Sequence, residues 1–253
     1  MADTGRITAR TAVFAPLAQG GRTDVVIQRI TESIALGLLS DGEQLPSETE
    51  LSAQFGVSTV TLREALATLR EQGVIETRRG RNGGSFVRAP GEPTKSAQRA
   101  KFLQFSVSDL RDAGDELAAI SGAAARLAAM RASTDNVERL ITLADRLTTV
   151  STAGARVRVD SRFHIEVAVA AASERLTRSE VALQGELGVM LWYTSSEQDL
   201  VVTAAKQHRA IALAISREDA AKARLLAEQH VETNTHRLIE ARLRLHEGGF
   251  RGR

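Results

Sequence analysis

Apolar side chains recur every three to four residues over most of the chain, which is the spacing of amphipathic α-helices. Near the N-terminus, Val26, Ile30, Ile34 and Leu38 recur every four residues behind Asp24. An acidic residue at the start of such a stripe can accept hydrogen bonds from the free N–H groups of a first turn. The pattern therefore predicts a first helix that Asp24 caps.

A second, shorter helix is predicted by its end signals more than by its apolar face. Ser47 stands three residues before Glu50, the spacing of a capping box, and predicts a helix start at Ser47. Leu51 and Phe55 form a narrow apolar face, and Gly56 is placed where a left-handed C-cap would end the helix.

A third helix follows after a tight turn, with Ser58 as its candidate N-cap. Its apolar stripe ends at Gly73 and consists of Leu62, Ala65, Leu66 and Leu69. The opposite face carries Thr59, Thr61, Arg63 and Arg70. A helix that offers hydroxyl groups and a guanidinium from its first turn, with its back buried, is typical of a recognition helix in the DNA major groove.

Two β-prone runs at 74–78 and 85–88 flank a glycine- and arginine-rich segment at 79–84. Two helices alone would also fit an ordinary helical hairpin with a solvated basic loop. Because the β-prone pair comes directly after them, we predict a winged helix-turn-helix whose wing can reach phosphates or the minor groove. The candidate DNA contacts are Ser58, Thr59, Thr61, Arg63, Arg79, Gly80 and Arg81.

The rest of the chain predicts helices only. Residues 96–246 contain no proline and show successive helical stripes, which we place near 108–131, 136–150, 153–172, 176–195, 201–216 and 219–247. Ser216 and Asp219 have capping-box spacing, which supports the start of the last helix. The predicted fold class is mainly α, with an N-terminal winged helix-turn-helix and a C-terminal all-helical bundle.

Composition shifts divide the chain into segments. Two of the four prolines fall in the stretch 89–94, which breaks both periods and marks a domain boundary. We expect a mobile tail at 1–22, a winged domain at 23–89, a linker at 90–97, a helical domain at 98–247 and a C-terminal tail at 248–253.

Composition and charge restrict the class of protein further. With no cysteine, the chain can form neither disulfides nor thiolate metal sites, and a cysteine nucleophile is excluded. The net charge of +2 does not by itself indicate a nucleic-acid partner, but five arginines lie between residues 70 and 88 against two glutamates. No apolar run approaches the roughly 20 residues of a membrane span, and residues 1–20 lack the apolar core of a signal peptide. We expect a cytoplasmic protein without a membrane partner.

Four polar residues in the helical region form a candidate metal site. Asp160 and His164 lie four residues apart and so share one face of a helix, whereas His208 and His230 fall on two later helices. A carboxylate and three imidazoles without sulfur suit a borderline divalent ion such as Zn, Ni or Mn, with open positions for a ligand. The same four residues also fit a hydrogen-bonded core cluster.

The N-terminal motifs resemble the DNA-binding domain of the GntR family of transcription regulators over about residues 24–87. The motifs are Leu-Pro-Ser-Glu at 45–48, Gly-Val-Ser at 56–58, Leu-Arg-Glu-Ala-Leu at 62–66, Gly-Val-Ile at 73–75 and the glycine-rich wing. The resemblance implies DNA contacts from Ser58, Thr61, Arg63, Arg79 and Gly80. Where the family usually has an arginine, this chain has Thr59, and Thr49 stands where another basic residue is frequent.

The C-terminal motifs resemble the FCD effector domain of the FadR-like branch of that family. These are the Asp-x3-His motif at 160–164, the run His-Arg-Ala-Ile-x-Leu-Ala-Ile at 208–215 and the distant His230. The resemblance implies that these residues bind a metal at the floor of a cavity, onto which a small organic acid docks. The arginine and glutamate usual on the first long helix of the family fall at Leu117 and Ser121 here.

Motifs and resemblance together predict a ligand-responsive transcription regulator, either a repressor or an activator, that binds a palindromic double-stranded operator as a homodimer. Its helical domain would bind a divalent metal, Zn most readily, and a small-molecule effector. Two alternatives remain at this point: a metal-dependent enzyme, because such a cluster could activate water, and a constitutive DNA-binding protein whose metal is purely structural.

Overall fold

The computed structural model describes residues 8–14, 16, 23–80, 83–89, 91, 95–194 and 198–250. The chain forms two compact units, Met1–Glu92 and Pro93–Arg253. Helices dominate both units, and the described residues contain one two-stranded sheet. The predicted fold class is confirmed: a mainly helical chain with an N-terminal winged helix-turn-helix and a C-terminal helical domain.

The first unit contains four helices and two strands among its described residues. They are α1 (Ala9–Val13), α2 (Thr23–Ala35), α3 (Glu48–Phe55), α4 (Thr59–Glu71), β1 (Ile75–Arg78) and β2 (Gly84–Val87). The predicted capping box is present at the start of α3, where the hydroxyl of Ser47 accepts from the N–H of Glu50 and the Glu50 carboxylate accepts from the N–H of Ser47. Gly56 ends this helix in the left-handed conformation, with φ of +67°, so the turn of the helix-turn-helix forms as predicted.

Strands β1 and β2 form an antiparallel wing in which Ile75 pairs with Val87 and Arg78 with Gly84. Gln44 forms a further bridge to Phe86, and its side-chain amide donates to the carbonyl of Gly83 at 3.0 Å. The wing is therefore attached by backbone pairing to the segment that leads into α3.

Two details near the N-terminus differ from the sequence-based expectations. Residues 9–13, within the segment expected to be mobile, form α1, because Phe14 packs edge-on against the buried ring of Phe55 at a centroid distance of 5.8 Å. Helix α2 begins at Thr23, so Asp24 lies within its first turn, and it ends at Ala35, before the left-handed Gly37 (φ +69°). Its apolar stripe is thus one turn shorter than the sequence suggested.

The second unit is helical throughout its described residues. Its helices are α5 (Lys95–Leu103), α6 (Val107–Arg131), α7 (Thr134–Arg146), α8 (Ala153–Ala170), α9 (Glu174–Leu183), α10 (Val189–Thr194), α11 (Gln198–Ser216) and α12 (Ala220–Phe250). A 3₁₀ turn at Leu147–Thr149 follows α7, and a π-helical turn at Gln184–Gly188 joins α9 to α10. The single helix predicted at 176–195 is therefore interrupted, and α5 extends into the stretch 90–97 expected to be a linker.

The capping box predicted at the start of the last helix is wrong. Ser216 is the final residue of α11, and its hydroxyl donates to the carbonyl of Leu213 at 2.9 Å. Asp219 alone accepts from the backbone N–H of Lys222, at 3.0 Å. Ser216 and Asp219 have the spacing of a capping box, but a turn with a left-handed Glu218 separates the two helices. The Ser216 side chain therefore bonds within α11.

Among the described helices of the second unit, α6 and α12 pack against each other most extensively. Gly114 faces Thr235 and Gly122 faces Glu228, so the two helices run antiparallel. A β-carbon at Gly114 would collide with the side chain of Thr235. Glycine therefore allows α12, which carries His230, to lie directly against α6.

Candidate metal centre and nucleic-acid interface

The candidate metal ligands lie in a polar layer between two apolar clusters of the second unit. Each of three helices passes from one cluster to the other at its candidate ligand. The flanking residues, one from each cluster, are Val159 and Phe163 on α8, Ala205 and Ala212 on α11, and Val231 and Ala227 on α12. Asp160, His164, His208 and His230 therefore converge at one level of the helical unit, although they are far apart in sequence.

The four side chains are close enough to share one ion. One ligand atom from each of Asp160, His164, His208 and His230 lies within 4.8 Å of all the others. The carboxylate Oδ1 of Asp160 is 3.4 Å from Nε2 of His208. All four residues are buried, with His208 completely inaccessible to solvent.

Several polar atoms of this cluster have no hydrogen-bond partner among the described residues. They are Oδ1 of Asp160 and both ring nitrogens of His208, since the 3.4 Å approach of Oδ1 to Nε2 does not have hydrogen-bond geometry. A buried polar atom left unpaired costs about 1–3 kcal/mol, so three of them at one point indicate that another group completes the site. A divalent cation bound by Oδ1 of Asp160 and by one ring nitrogen of His208 would satisfy two of these three atoms.

Unlike the ring nitrogens of His208, both ring nitrogens of His230 have a hydrogen-bond partner. Its Nδ1 is 2.8 Å from Oε1 of Gln207, and Nδ2 of Asn234 is 3.0 Å from its Nε2. If Nδ1 carries the proton and donates to Gln207, Nε2 keeps the lone pair that a metal requires, as is usual for histidine ligands. Asn234 would then have to turn away from Nε2 when a metal binds.

Burial sets the protonation of the cluster. It lowers the pKa of His164 to about 4, and burial together with the neighbouring imidazoles lowers the pKa of His208 well below its usual value. The pKa of His230 is also lowered strongly, first by burial. Burial raises the pKa of Asp160 to about 7; the nearby indole N–H of Trp192 opposes this rise, although its geometry falls short of a hydrogen bond. The imidazoles are thus neutral at pH 7, the form that binds metals.

A small cavity adjoins the cluster. Its volume is about 30 Å³, and Asp160, His164 and His230 form one side of it. Its remaining walls consist of Leu117, Gln184, Leu187, Gly188, Leu191, Val231, Asn234, Thr235 and Leu238. Among these described lining residues there is no lysine or arginine.

The π-helical turn brings a second polar group to this cavity. The amide Nε2 of Gln184 donates to the buried carboxylate of Glu180 at 3.0 Å, and Ser121 donates to the same carboxylate at 2.9 Å. Burial raises the pKa of Glu180 to about 7, against the effect of these two hydrogen bonds. Because its nitrogen is engaged, Gln184 keeps its carbonyl Oε1 unpaired, and a β-carbon at Gly188 would collide with that oxygen.

The predicted DNA contacts lie on the first turn of α4 and on the wing. Ser58 caps α4 by accepting from the N–H of Thr61 at 3.1 Å, and the two hydroxyl oxygens are 2.9 Å apart. Thr59 is the exposed first residue of the helix. Nε of Arg63 donates to the carboxylate of Glu48 on α3 at 2.8 Å, although the arginine side chain remains 67% exposed.

On the wing, Arg79 is exposed directly after β1, and Gly80 adopts a φ of +111° that favours glycine. Arg81 lies outside the described residues. The first unit therefore carries Ser58, Thr59, Thr61 and Arg63 on α3–α4 and Arg79 with Gly80 at the wing.

Sequence reasoning missed the residues that surround the candidate metal ligands. Gln207 and Gln184 touch a ligand and the cavity respectively, but nothing in their spacing identifies them. Asn234 could have been found, because it lies one helical turn after His230. Glu180 and Gln184 have the same i to i+4 spacing, yet a buried pair of this kind cannot be told from a solvated one by sequence.

Comparisons with known proteins identify both units. Residues 22–87 match the bacterial regulatory proteins of the gntR family, and residues 116–233 match the FCD domain. The chain is 43% identical to the HTH-type transcriptional regulator RmpR of Mycobacterium gastri over 233 residues, which are 91% of this chain and 85% of that protein. It is 34% identical to the L-lactate dehydrogenase operon regulatory protein of Escherichia coli, over 58% of each chain.

The solved structure of E. coli McbR/YncC shares the fold, with a TM-score of 0.53 at 16% identity over 86% of this chain and 97% of that one. A winged helix-turn-helix followed by an FCD domain is the architecture of a transcription regulator. The chain belongs to the GntR family and carries an FCD domain; it is a transcription regulator and not an enzyme. Within the described ranges, no helix is long and apolar enough to span a bilayer.

Proposed function

We propose that this regulator binds a palindromic operator as a homodimer and that a divalent metal and a small-molecule effector in its helical unit modulate this binding. The proposed DNA contacts are Ser58, Thr59, Thr61, Arg63, Arg79, Gly80 and Arg81. The proposed metal ligands are Asp160, His164, His208 and His230. The protein would act in the cytoplasm, where its operator is found.

The observation that carries the metal proposal is the set of unpaired buried atoms at one point of the fold. Asp160 and His208 leave three polar atoms without partners, and the imidazoles around them are neutral. Nitrogen and carboxylate donors without sulfur favour Zn, with Ni or Mn as alternatives. When bound, the ion would join α8, α11 and α12 and offer a Lewis-acidic site to the oxygen atoms of an effector.

The cavity supports an effector of restricted chemistry. With Leu117 and no cationic side chain among its described walls, the cavity offers an effector carboxylate no positive charge other than that of the metal. The unpaired carbonyl oxygen of Gln184 is an acceptor, so it favours an effector that donates a hydrogen bond. We therefore favour a small hydroxylated metabolite that presents an oxygen to the metal and a hydroxyl to Gln184.

The size of the cavity adds a requirement. A volume of about 30 Å³ holds only about two or three water molecules, each of which needs about 10–15 Å³ on this measure. A metabolite can enter only if wall side chains, such as those of Leu187 and Leu191, move aside. Both residues belong to the π-helical turn and the helix after it, and π-helical turns are frequent at functional sites.

Elemental analysis of the purified protein, with and without incubation with Zn, Ni or Mn, tests the metal proposal. About one equivalent of metal per chain supports it, and no retained metal overturns it. The effector is tested on metal-loaded protein by thermal shift with matched pairs of metabolites that share a skeleton and differ in a carboxylate or a hydroxyl. A metal-loaded protein that responds to no metabolite in either class would indicate the alternative, a purely structural metal.

The DNA-binding proposal is tested with duplexes selected from a randomised pool by the full-length protein. Since one recognition helix covers only a few base pairs, a dimer should protect two half-sites related by a two-fold axis, roughly one helical turn apart. Footprinting on a selected duplex gives the number of protected half-sites, and sedimentation of the free protein gives its oligomeric state. A monomer that protects a single half-site would contradict the proposal.

A further inference from the structure

Val60 is a large apolar residue in an unusual place. It is the second residue of α4 and is 63% exposed. Among the described residues, the other large apolar side chains with comparable exposure lie in the second unit. The described part of the winged domain therefore leaves most of the Val60 side chain uncovered.

The position of Val60 on α4 determines the direction in which its exposed side chain points. Leu62, Ala65, Leu66 and Leu69 form the buried face of α4. At 100° per residue, the centre of that face lies almost opposite Val60, so the valine side chain points directly away from the core. In a winged helix-turn-helix, this is the side of the recognition helix that enters the major groove.

Stability does not explain a valine at this position. A β-branched residue has lower helix propensity than alanine, because its side chain loses rotational freedom against the preceding turn. An exposed valine also gains nothing from burial in the folded chain. A residue that breaks the local rule without a stabilising contact is expected where function requires it.

The polar groups beside Val60 are partly engaged within the protein. The hydroxyls of Ser58 and Thr61 are 2.9 Å apart at the helix cap, and Arg63 is paired with Glu48. The first turn of α4 therefore presents Val60 as an outward apolar side chain, close to the Ser58 and Thr61 hydroxyls, which already have partners.

We propose that Val60 reads thymine by packing against its 5-methyl group in the major groove. The thymine methyl is the apolar feature of the major-groove edges of the four standard bases, so an exposed valine at this point of the helix has one complementary base. The inference rests on the proposed DNA-binding role of α4, and it assigns specificity to a side chain that makes no hydrogen bond.

The test uses the full-length protein and a duplex that it selects from a randomised pool. Each thymidine of one half-site is replaced in turn by deoxyuridine, which removes the methyl group and leaves the hydrogen-bonding edges unchanged. Affinity is then measured by gel retardation for the unmodified protein and for Val60→Ala. Val202→Ala, which trims another exposed valine in the second unit, is the matched control.

We expect one thymidine in the half-site whose replacement weakens binding of the unmodified protein about fourfold, the value of one buried methyl group. The same replacement should leave Val60→Ala unaffected, while Val202→Ala should respond like the unmodified protein. Equal losses for Val60→Ala and the unmodified protein at every thymidine would overturn the contact, as would a selected half-site without thymine. If no duplex is retarded at all, the DNA-binding proposal itself fails; retardation without this coupling overturns the Val60 contact alone.

Discussion

Replacement of His208 by leucine should stabilise the metal-free protein and abolish its stabilisation by metal. His208 is fully buried, and both of its ring nitrogens lack a hydrogen-bond partner among the described residues. Leucine has a similar volume and no polar atom, so His208→Leu removes two unpaired groups from the core without leaving a large void. The metal loses one of its four ligands in the same change.

The magnitudes follow from the burial of these atoms. One unpaired buried polar group costs about 1–3 kcal/mol, and we expect a net gain on the order of 2 kcal/mol for the metal-free variant because some of the stacking on Phe163 is lost. For a chain of this length, that gain corresponds to a rise in Tm of roughly 4–8 °C. Metal at 100 times its Kd should stabilise the unmodified protein by about 2.7 kcal/mol.

Scanning calorimetry of chelator-treated protein, with and without added Zn, measures both effects. His236→Leu is the matched control, because His236 is an exposed histidine on α12 outside the cluster. The control should keep the full metal-dependent rise in Tm. The reasoning is refuted if metal-free His208→Leu is less stable than the unmodified protein, since His208 would then be a satisfied core residue, or if Zn still raises the Tm of the variant.

Three further predictions concern other parts of the molecule. Arg63→Ala should weaken operator binding in gel retardation. The free energy of unfolding should change by less than about 0.5 kcal/mol, because both Arg63 and its partner Glu48 are solvent-exposed. Operator binding like that of the unmodified protein would show that Arg63 is not part of the interface. The raised pKa of Glu180 means that the folded protein holds the proton of this carboxyl more tightly than the unfolded chain does. The resulting contribution to the free energy of unfolding is complete below about pH 4.5 and is lost as the pH rises through about 7. Glu180→Gln should flatten this part of the profile of unfolding free energy against pH, and an unchanged slope would contradict the assignment. Gly114→Ala should destabilise the second unit by about 1–3 kcal/mol in denaturant unfolding because α12 lies against this glycine, whereas Gly91→Ala, with open space around it, should have little effect.

The winged domain could be predicted from sequence because its signals are local. A serine three residues before a glutamate fixes the start of α3, and the glycine at 56 fixes its end; both depend on backbone N–H groups within a few residues. The same logic failed at Ser216, where the serine and Asp219 have the right spacing but a left-handed residue stands between them. Spacing identifies a cap only when the intervening backbone is helical.

The four candidate metal ligands were also visible in the sequence, but their environment was not. Helical spacing brings Asp160 and His164 together, residue type added His208 and His230 on later helices, and the resemblance to the FCD domain supported the set of four. Contacts of Gln207 with His230, and of Ser121 with Glu180, join residues that are 23 and 59 positions apart in the chain. Such contacts depend on how helices pack, which the pattern of one helix does not encode.

The replacement of a usual arginine by Leu117 and of a usual glutamate by Ser121 can now be interpreted together. Leu117 lines the cavity beside the metal cluster, while Ser121 donates to the buried carboxylate of Glu180. With the arginine absent, an acidic partner four residues further along α6 would have no cation to balance, and it would add a second negative charge beside Glu180. A serine instead satisfies Glu180, and Glu180 in turn holds the amide of Gln184 so that its carbonyl oxygen is left without a partner. If the proposed effector binds in this cavity, the two substitutions exchange a charged contact for a neutral hydrogen-bond acceptor, which is the physical reason to test a hydroxylated effector before a simple acid.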